Sequence, residues 1–168
     1  MLPVHPTRSP TEDRMNTGIK EEHRTAIAEG LSHLLADTYS LYLKSHNFHW
    51  NVTGPMFREL HLMFEEHYTE LAMAVDEIAE RIRALGAPAP GSFSQFAKLS
   101  SVPEADGVPA ALDMVKELAD GHETVARNAR ALMTTASEAH DSATEGVLSE
   151  RIVVHEKTAW MLRATIAK

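Results

Sequence analysis

Residues 56–87 read MFRELHLMFEEHYTELAMAVDEIAERIRALGA, and they contain no proline. The apolar residues within them recur at spacings of three, four or seven positions: Leu60, Phe64, Leu71, Val75, Ile78, Ile82 and Leu85. This is the period of one face of an amphipathic α-helix, so the pattern predicts a long helix that buries one side. The breaks at Gly54-Pro55 and at Gly86 predict where this helix begins and ends.

The two other long proline-free stretches, 11–54 and 110–168, show the same helical period. The last is too long for one helix, and we divide it between residues 134 and 141 because Ser142-Ala-Thr-Glu145 has the pattern of a capping box. Four long amphipathic helices without a strand pattern predict an all-α fold, an antiparallel four-helix bundle.

Three smaller features complete the predicted organisation. The segment Ser92 to Leu99 predicts a short extra helix in the connection between the second and third long helices. Pro109 is expected in the first turn of the third long helix, with Leu112 on its core face. Residues 1–17 contain three prolines and little apolar periodicity, so we expect a flexible N-terminal arm before one domain, residues 18–168.

The composition excludes several classes of function. The chain has 168 residues, a size that suits one domain, and it has no cysteine, which excludes disulfides, cysteine-ligated metals and thiol catalysis. The net charge of −8 argues against a polyanion-binding surface. The longest apolar run, Leu71 to Val75, is far too short to span a membrane, and the first twenty residues lack an apolar signal segment. We therefore expect a soluble cytoplasmic protein.

Two pairs of polar residues on the second helix are candidates for metal binding. His61 and Glu65 are four residues apart, as are Asp76 and Glu80, and residues at that spacing share a helix face. His49 lies at the end of the first helix. Imidazole and carboxylate groups without a thiolate suit iron, manganese or zinc. The alternative is that these residues lie on an ordinary solvated face, which is the more frequent role of such spacing.

The two pairs are too far apart to share one metal site within a single chain. Glu65 and Asp76 are separated by about 16 Å along a helix axis, whereas two metals in one cooperative site lie about 3.5–4 Å apart. Two copies of the helix packed antiparallel, and centred near Glu70 and Leu71, would bring His61 and Glu65 of one chain to Asp76 and Glu80 of the other. The spacing therefore suggests two identical sites between subunits, each completed by His49.

Three runs of sequence stand out as ordered motifs. The first is His49-Trp50-Asn51-Val52-Thr53-Gly54, followed by Leu60-His61 and Glu65. The second is Val75-Asp76-Glu77-Ile78-Ala79-Glu80-Arg81, followed by Leu85-Gly86. The third is His155-Glu156-Lys157-Thr158-Ala159-Trp160. These runs resemble the signatures of the Dps family of mini-ferritins. The resemblance extends from about Thr17 to Lys168, and the first two signatures are long and correctly separated.

The resemblance implies a ferritin-like bundle that assembles into a hollow homododecamer with tetrahedral symmetry and stores ferric mineral. It implies a ferroxidase that oxidises Fe(II), preferably with hydrogen peroxide, at a site for two irons between subunits. The implied ligands are His49, His61 and Glu65 of one chain with Asp76 and Glu80 of its mate. Zinc or manganese are expected as substitutes for iron. Many members carry Asp where this chain has Glu65, which changes the reach of that carboxylate.

Other expectations concern side chains around this site and at the surface. Trp50 is a candidate for quenching stray oxidising equivalents, whereas Trp160 is expected to be a core or interface side chain. Asp141 and Glu145 are candidates for a pore that admits iron, with a solvated helix start as the alternative. His155 is expected to be buried or at an interface and Tyr68 in the core, and His46, His67 and His122 have no evident partner in the sequence.

DNA binding is the alternative function, because the family name records it. A basic terminal arm is typical of the members that bind DNA, and the candidate residues here are Arg8, Arg14 and Lys20. They are opposed by Glu12 and Asp13, and the chain as a whole is acidic, so we expect little DNA binding at physiological salt. A larger ferritin is disfavoured because no Glu is followed three residues later by His. A shell that serves as a surface ligand is the least favoured alternative.

Overall fold

The computed structural model describes residues 15–167 and, within them, contains helices and no strands. The helices are α1 (Glu21–Asn51), α2 (Phe57–Ala84), α3 (Phe93–Leu99), α4 (Ala111–Glu138) and α5 (Ser142–Thr165). The four long helices and the short α3 confirm the predicted all-α architecture. Arg8, Arg14 and most of the expected arm lie outside the described residues.

The bundle consists of two helical hairpins that pack against each other. Short connections join α1 to α2 and α4 to α5, so the helices of each hairpin run antiparallel, and α1 packs against α4 while α3 covers part of α1. The predicted apolar stripe of α2 faces the core, where Leu60, Phe64 and Leu71 are fully buried. The start of α4 differs from the prediction, because the helix begins at Ala111, after Pro109, and half of Leu112 is exposed.

Two glycines allow α1 and α4 to approach closely at two points of their contact. A Cβ added to Gly30 of α1 would lie 2.3 Å from Leu132, and one added to Gly121 of α4 would lie 2.7 Å from Leu41. A glycine inside a helix costs about 1 kcal/mol relative to alanine. This cost applies at both Gly30 and Gly121, where the missing side chain leaves room for a leucine of the opposite helix.

The helices α2 and α4 end in the same backbone motif with different residues. At the end of α2, Gly86 has φ of 91°, its N–H donates to the carbonyl of Arg83, and the N–H of Ala87 donates to that of Ile82. The corresponding bonds after α4 run from His140 to Ser137 and from Asp141 to Ala136. These are the two bonds of a Schellman motif, which favours glycine at the position of positive φ.

The turn after α4 therefore places a side chain where glycine is preferred. His140 has φ of 54° and is exposed, so no buried contact compensates for the strained backbone. The next residue, Asp141, is the N-cap of α5, and its side chain accepts a hydrogen bond from the Thr144 N–H. The predicted capping box is thus wrong by one residue, since Ser142 is already helical and Asp141 supplies the cap.

The substitution His140→Gly is expected to stabilise the fold by about 0.5–1 kcal/mol, because glycine adopts this backbone without a Cβ clash. The matched control is His140→Ala, which removes the imidazole but keeps the strain and should leave the stability nearly unchanged. Denaturant unfolding at fixed protein concentration measures both. Equal effects of the two substitutions would show that the backbone at this position is not strained.

A pair of histidines is buried where α4 meets α5. His122 and His155 are 1% and 0% exposed, and their Nδ1 atoms form a hydrogen bond of 2.8 Å. One Nδ1 must donate and the other accept, so the two rings are different tautomers. Burial, followed by the neighbouring charge of Arg151, lowers the pKa of His155 to about 3, and burial lowers the pKa of His122 well below its ordinary value. His122, which has no evident partner in the sequence, therefore finds its partner on another helix.

This pair should make the folded protein sensitive to acid. The unfolded chain takes up a proton on each histidine near pH 6.5, whereas the folded chain keeps His155 neutral down to about pH 3. The free energy of unfolding should therefore be highest above pH 6.5 and fall by about 1.4 kcal/mol per pH unit for each such histidine below it. Denaturant unfolding between pH 7 and 5 measures this slope.

The double substitution His122→Gln and His155→Gln should remove the part of that slope that the pair contributes, whatever its effect on stability at pH 7. The part that remains is expected from His67, whose pKa burial lowers to about 4. The control is His140→Gln, at the exposed histidine of the α4–α5 turn, which should keep the slope of the parent. A slope that the double variant leaves unchanged would show that other groups cause the acid sensitivity.

Candidate metal centre

The connection between α1 and α2 brings the two signature histidines together. The chain turns back within residues 52–56, where Gly54 has φ of 106° and its carbonyl accepts a hydrogen bond from Phe57. Val52 is buried beneath this turn. The last turn of α1, with His49, therefore lies beside the first turns of α2, with His61.

His49 and His61 orient each other through reciprocal hydrogen bonds. The Nδ1–H of His49 donates to the carbonyl of His61, and the Nδ1–H of His61 donates to the carbonyl of His49, each at 2.8 Å. The two rings stack with centroids 3.8 Å apart. A carbonyl only accepts, so both protons lie on Nδ1 and the Nε2 lone pair of each neutral ring is free to bind a metal.

The three candidate carboxylates lie along the exposed side of α2. Glu65, Asp76 and Glu80 are all exposed, with Glu65 one turn beyond His61. Asp76 and Glu80 lie further along the same helix, about 16 Å and about 22 Å from Glu65 along the helix axis. Within residues 15–167 of one chain, no three His, Asp or Glu side chains come together as a metal site. One chain thus brings His49 and His61 together and leaves Glu65, Asp76 and Glu80 outside that cluster.

Comparison with known proteins places this arrangement in a family. A model of the ferritin-like domain matches residues 28–168. The DNA protection during starvation protein 2 of Bacillus anthracis is 39% identical over 138 residues, which cover 82% of this chain and 94% of that protein. The chain belongs to the Dps family. An uncharacterized low temperature-induced protein of Nostoc is 41% identical over 155 residues, 91% of this chain and 87% of that protein.

Solved Dps structures have the same fold. The Dps protein of Vibrio cholerae superimposes with a TM-score of 0.88 at 32% sequence identity, over 93% of this chain and all of that one. That protein is described as a member of a broad superfamily of ferritin-like diiron-carboxylate proteins. The predicted ferritin-like fold and the family assignment are therefore confirmed.

Aromatic side chains surround the imidazole pair of this Dps protein. Tyr68 meets His49 edge to face at 5.2 Å between ring centroids, and it stacks on His46 at 4.1 Å. Trp50 packs against the other side of His46 at 4.0 Å and is 61% exposed. Burial lowers the pKa of His46, and the electrostatic influence of the neighbouring His49 imidazole lowers it further. His46, expected to have no evident partner, and Tyr68, expected in the core, thus both lie beside the imidazole pair, with Tyr68 half-buried. The spacing of 46, 49 and 50 on one helix is the sequence signal for the shared face of His46.

Trp160 and Lys20 lie away from this centre. Trp160 is 67% exposed, so it is not a core residue of the single chain, and an interface role stays a prediction. Lys20 is the exposed N-cap residue of α1. Among the helices of residues 15–167, none is long and apolar enough to cross a membrane.

Asp141, which was predicted to line a pore, is buried in the single chain and paired with Arg81. Its carboxylate is 2% exposed and accepts hydrogen bonds of 2.7 and 2.8 Å from Arg81 and of 2.6 Å from the Thr144 hydroxyl. Burial alone would raise the pKa of Asp141, but the bonds from Arg81 and Thr144 outweigh it and lower the pKa. A carboxylate held in this way faces Arg81 and not solvent, so the half-buried Glu145 remains as the pore candidate.

The substitution Asp141→Ala should destabilise the fold by roughly 2–4 kcal/mol, because it removes the cap of α5 and leaves Arg81 without its carboxylate. The matched control is Glu138→Ala, at an exposed carboxylate one turn earlier, with an expected effect within about 0.5 kcal/mol. Chemical denaturation measures both variants. A loss no greater than that of the control would mean that the Arg81–Asp141 pair contributes little.

Proposed function

We propose that this Dps protein is a ferroxidase and iron store. It oxidises Fe(II), with hydrogen peroxide as the preferred oxidant, at a site formed by two copies of the chain. The observation that carries this proposal is the reciprocal hydrogen bonding of His49 and His61, which leaves two neighbouring Nε2 atoms free beside the acidic face of α2. Histidines that donate through Nδ1 to a carbonyl are typical of metal ligands.

The donor types suit iron as the substrate. Imidazole nitrogen and carboxylate oxygen bind Fe(II), and the same donors accept zinc or manganese, which would compete for the site. Two irons each give one electron to one peroxide, so 2 Fe(II), one H₂O₂ and two protons yield 2 Fe(III) and two waters. Because both electrons are delivered together, no hydroxyl radical is released. Removal of Fe(II) and peroxide in this way is how the protein would protect DNA.

The outer face of α2 supports a site shared between two chains. Leu62 and Met73 are 47% and 65% exposed, and with Thr69 they line a shallow groove between the two candidate pairs. Leu71 is fully buried in its own bundle, so the crossing point of two such helices would involve the groove residues. An antiparallel crossing there would bring Asp76 and Glu80 of one chain to His61 and Glu65 of the other.

The proposed assembly is a cytoplasmic homododecamer that holds ferric mineral in its cavity. Glu145 is the remaining candidate for a pore that admits Fe(II). DNA binding is the second candidate function, since the Bacillus anthracis relative is named for DNA protection. The net charge of −8 per chain opposes it, and we propose that protection comes from iron chemistry more than from binding.

A subunit-mixing experiment tests both the reaction and the shared site. Variant one carries His49→Ala, His61→Ala and Glu65→Ala, and variant two carries Asp76→Ala and Glu80→Ala. Each alone should lose peroxide-driven Fe(II) oxidation. Assembled together from equal amounts, they should recover about a quarter of the parent activity, because half of the dimers are mixed and each mixed dimer rebuilds one of its two sites.

The control for these substitutions is Glu77→Ala, which removes an exposed carboxylate beside Asp76 that is outside the proposed site. It should oxidise iron like the parent. Ferric absorbance in anaerobic mixing with one peroxide per two irons is the readout, and size-exclusion chromatography verifies assembly. Two inactive variants that stay inactive when mixed would refute the shared site, and activity in either variant alone would refute the ligand set.

A further inference from the structure

Phe57, His61 and His49 form a stack of three rings where α1 ends and α2 begins. The phenyl ring of Phe57 lies against the His61 imidazole, with centroids 5.1 Å apart and planes inclined by 28°. His49 stacks on the same imidazole at 3.8 Å and 19°. Within the described residues 15–167, Phe57 and His49 have no ring contact with each other, so they occupy opposite faces of His61. We call these residues the three-ring stack.

The turn between α1 and α2 fixes the position of Phe57 in this stack. Phe57 is the first residue of α2, and its backbone N–H donates to the carbonyl of Gly54 at 3.0 Å. His61 follows four residues later, so the two side chains share one face of the helix. The His61 ring is itself held by the bond from its Nδ1–H to the carbonyl of His49. The phenyl ring therefore meets an imidazole that cannot turn away without losing a hydrogen bond.

Metal binding to both histidines places like charges inside this stack. A metal ion bound through Nε2 draws electron density from an imidazole and leaves the ring partly positive. Two such rings, with centroids 3.8 Å apart, repel each other, and this repulsion weakens the binding of the second ion. The face of a phenyl ring is negative and attracts positive charge within about 6 Å of its centroid. Phe57 is within that range of His61, so it opposes the repulsion from the side away from His49.

We infer that the negative face of Phe57 raises the affinity of His61 for a metal ion while His49 also holds one. This inference rests on the proposed ferroxidase function and deepens it, because it assigns a residue outside the ligand set to the binding of the second Fe(II). Phe57 is a positioning residue, since it touches no metal and acts through His61. Two irons must be bound together if one peroxide is to receive both electrons, so Phe57 favours the two-iron reaction over the reaction of a single iron.

Three substitutions separate the charge distribution of the ring from its packing. Phe57→Leu removes the ring, whereas Phe57→Tyr keeps a ring with a negative face. Phe57→pentafluorophenylalanine nearly keeps the shape of the ring but reverses its quadrupole, so that its face becomes positive. Because 45% of Phe57 is exposed, these substitutions do not open the core. The matched control is Phe93→Leu, the same exchange at a phenylalanine of α3 that is 75% exposed.

The test is a titration of the assembled, metal-free protein with Zn²⁺ in competition with a chromogenic chelator, and size-exclusion chromatography verifies assembly. The parent should bind two zinc ions per site. Phe57→Leu should weaken the binding of the second ion about two- to fivefold, and Phe57→pentafluorophenylalanine should weaken it further. Phe57→Tyr and the control should match the parent. The affinity for the first ion should change less, because one charged imidazole has no charged neighbour.

Iron oxidation provides a second readout for the same variants. Phe57→Leu should raise the Fe(II) concentration that gives the half-maximal rate by a factor similar to its loss of zinc affinity. The rate at saturating Fe(II) should stay near that of the parent, since every proposed ligand is still present. Phe57→Tyr should restore the parent value.

The outcomes distinguish this inference from the function on which it rests. Equal zinc affinities in the parent and in Phe57→Leu would overturn it. It would also be overturned if Phe57→pentafluorophenylalanine bound the second ion like the parent, because the ring would then act by shape alone. In either case, a parent that binds two zinc ions per site and oxidises two irons per peroxide leaves the proposed function standing. A parent that binds fewer than two ions per site contradicts the proposed site, and the role of Phe57 fails with it.

Discussion

The mutual hydrogen bonds of His49 and His61 are the interaction on which the candidate centre depends. Each imidazole is held by the backbone carbonyl of the other residue, so the end of α1 and the start of α2 are fastened by the same bonds that orient the rings. Both Nδ1 protons are thereby used inside the protein, and both Nε2 atoms are left for a metal. The same two hydrogen bonds therefore join α1 to α2 and fix the orientation of both rings. This explains why the two histidines lie on either side of a tight turn.

The hairpin of α1 and α2 packs against the rest of the bundle, mainly through the contact of α1 with α4. Close contact of α1 with α4 is possible because Gly30 and Gly121 each make room for a leucine of the opposite helix. The buried His122–His155 pair joins the two helices of the α4–α5 hairpin, and the Arg81–Asp141 pair joins α2 to the start of α5. Such polar contacts in an apolar core are costly unless both partners are present, so they favour one arrangement of the helices over others.

The candidate metal site on the acidic face of α2 is incomplete in the single chain. This is the structural reason to propose that two copies of the chain form the site together. Asp76 and Glu80 are exposed and distant from the histidines, while the groove between the two groups is lined by exposed Leu62 and Met73. On the other side of the histidine pair, Tyr68, His46 and Trp50 of the same chain pack ring against ring.

The sequence by itself determined the helices, their order and the polar residues of the candidate site. Periodicity and proline placement are local properties, so α2 and the short α3 were predictable from spacing alone, and a resemblance across His49 to Glu80 identified the family. The tertiary structure decided which distant groups meet. Nothing local in the sequence indicates that His122 pairs with His155, that Asp141 turns toward Arg81, or that His46 stacks on Tyr68. Even the shift of the α5 cap from Ser142 to Asp141 follows from a turn whose backbone is set by the end of α4. These contacts depend on how the helices pack, which spacing along one helix cannot specify.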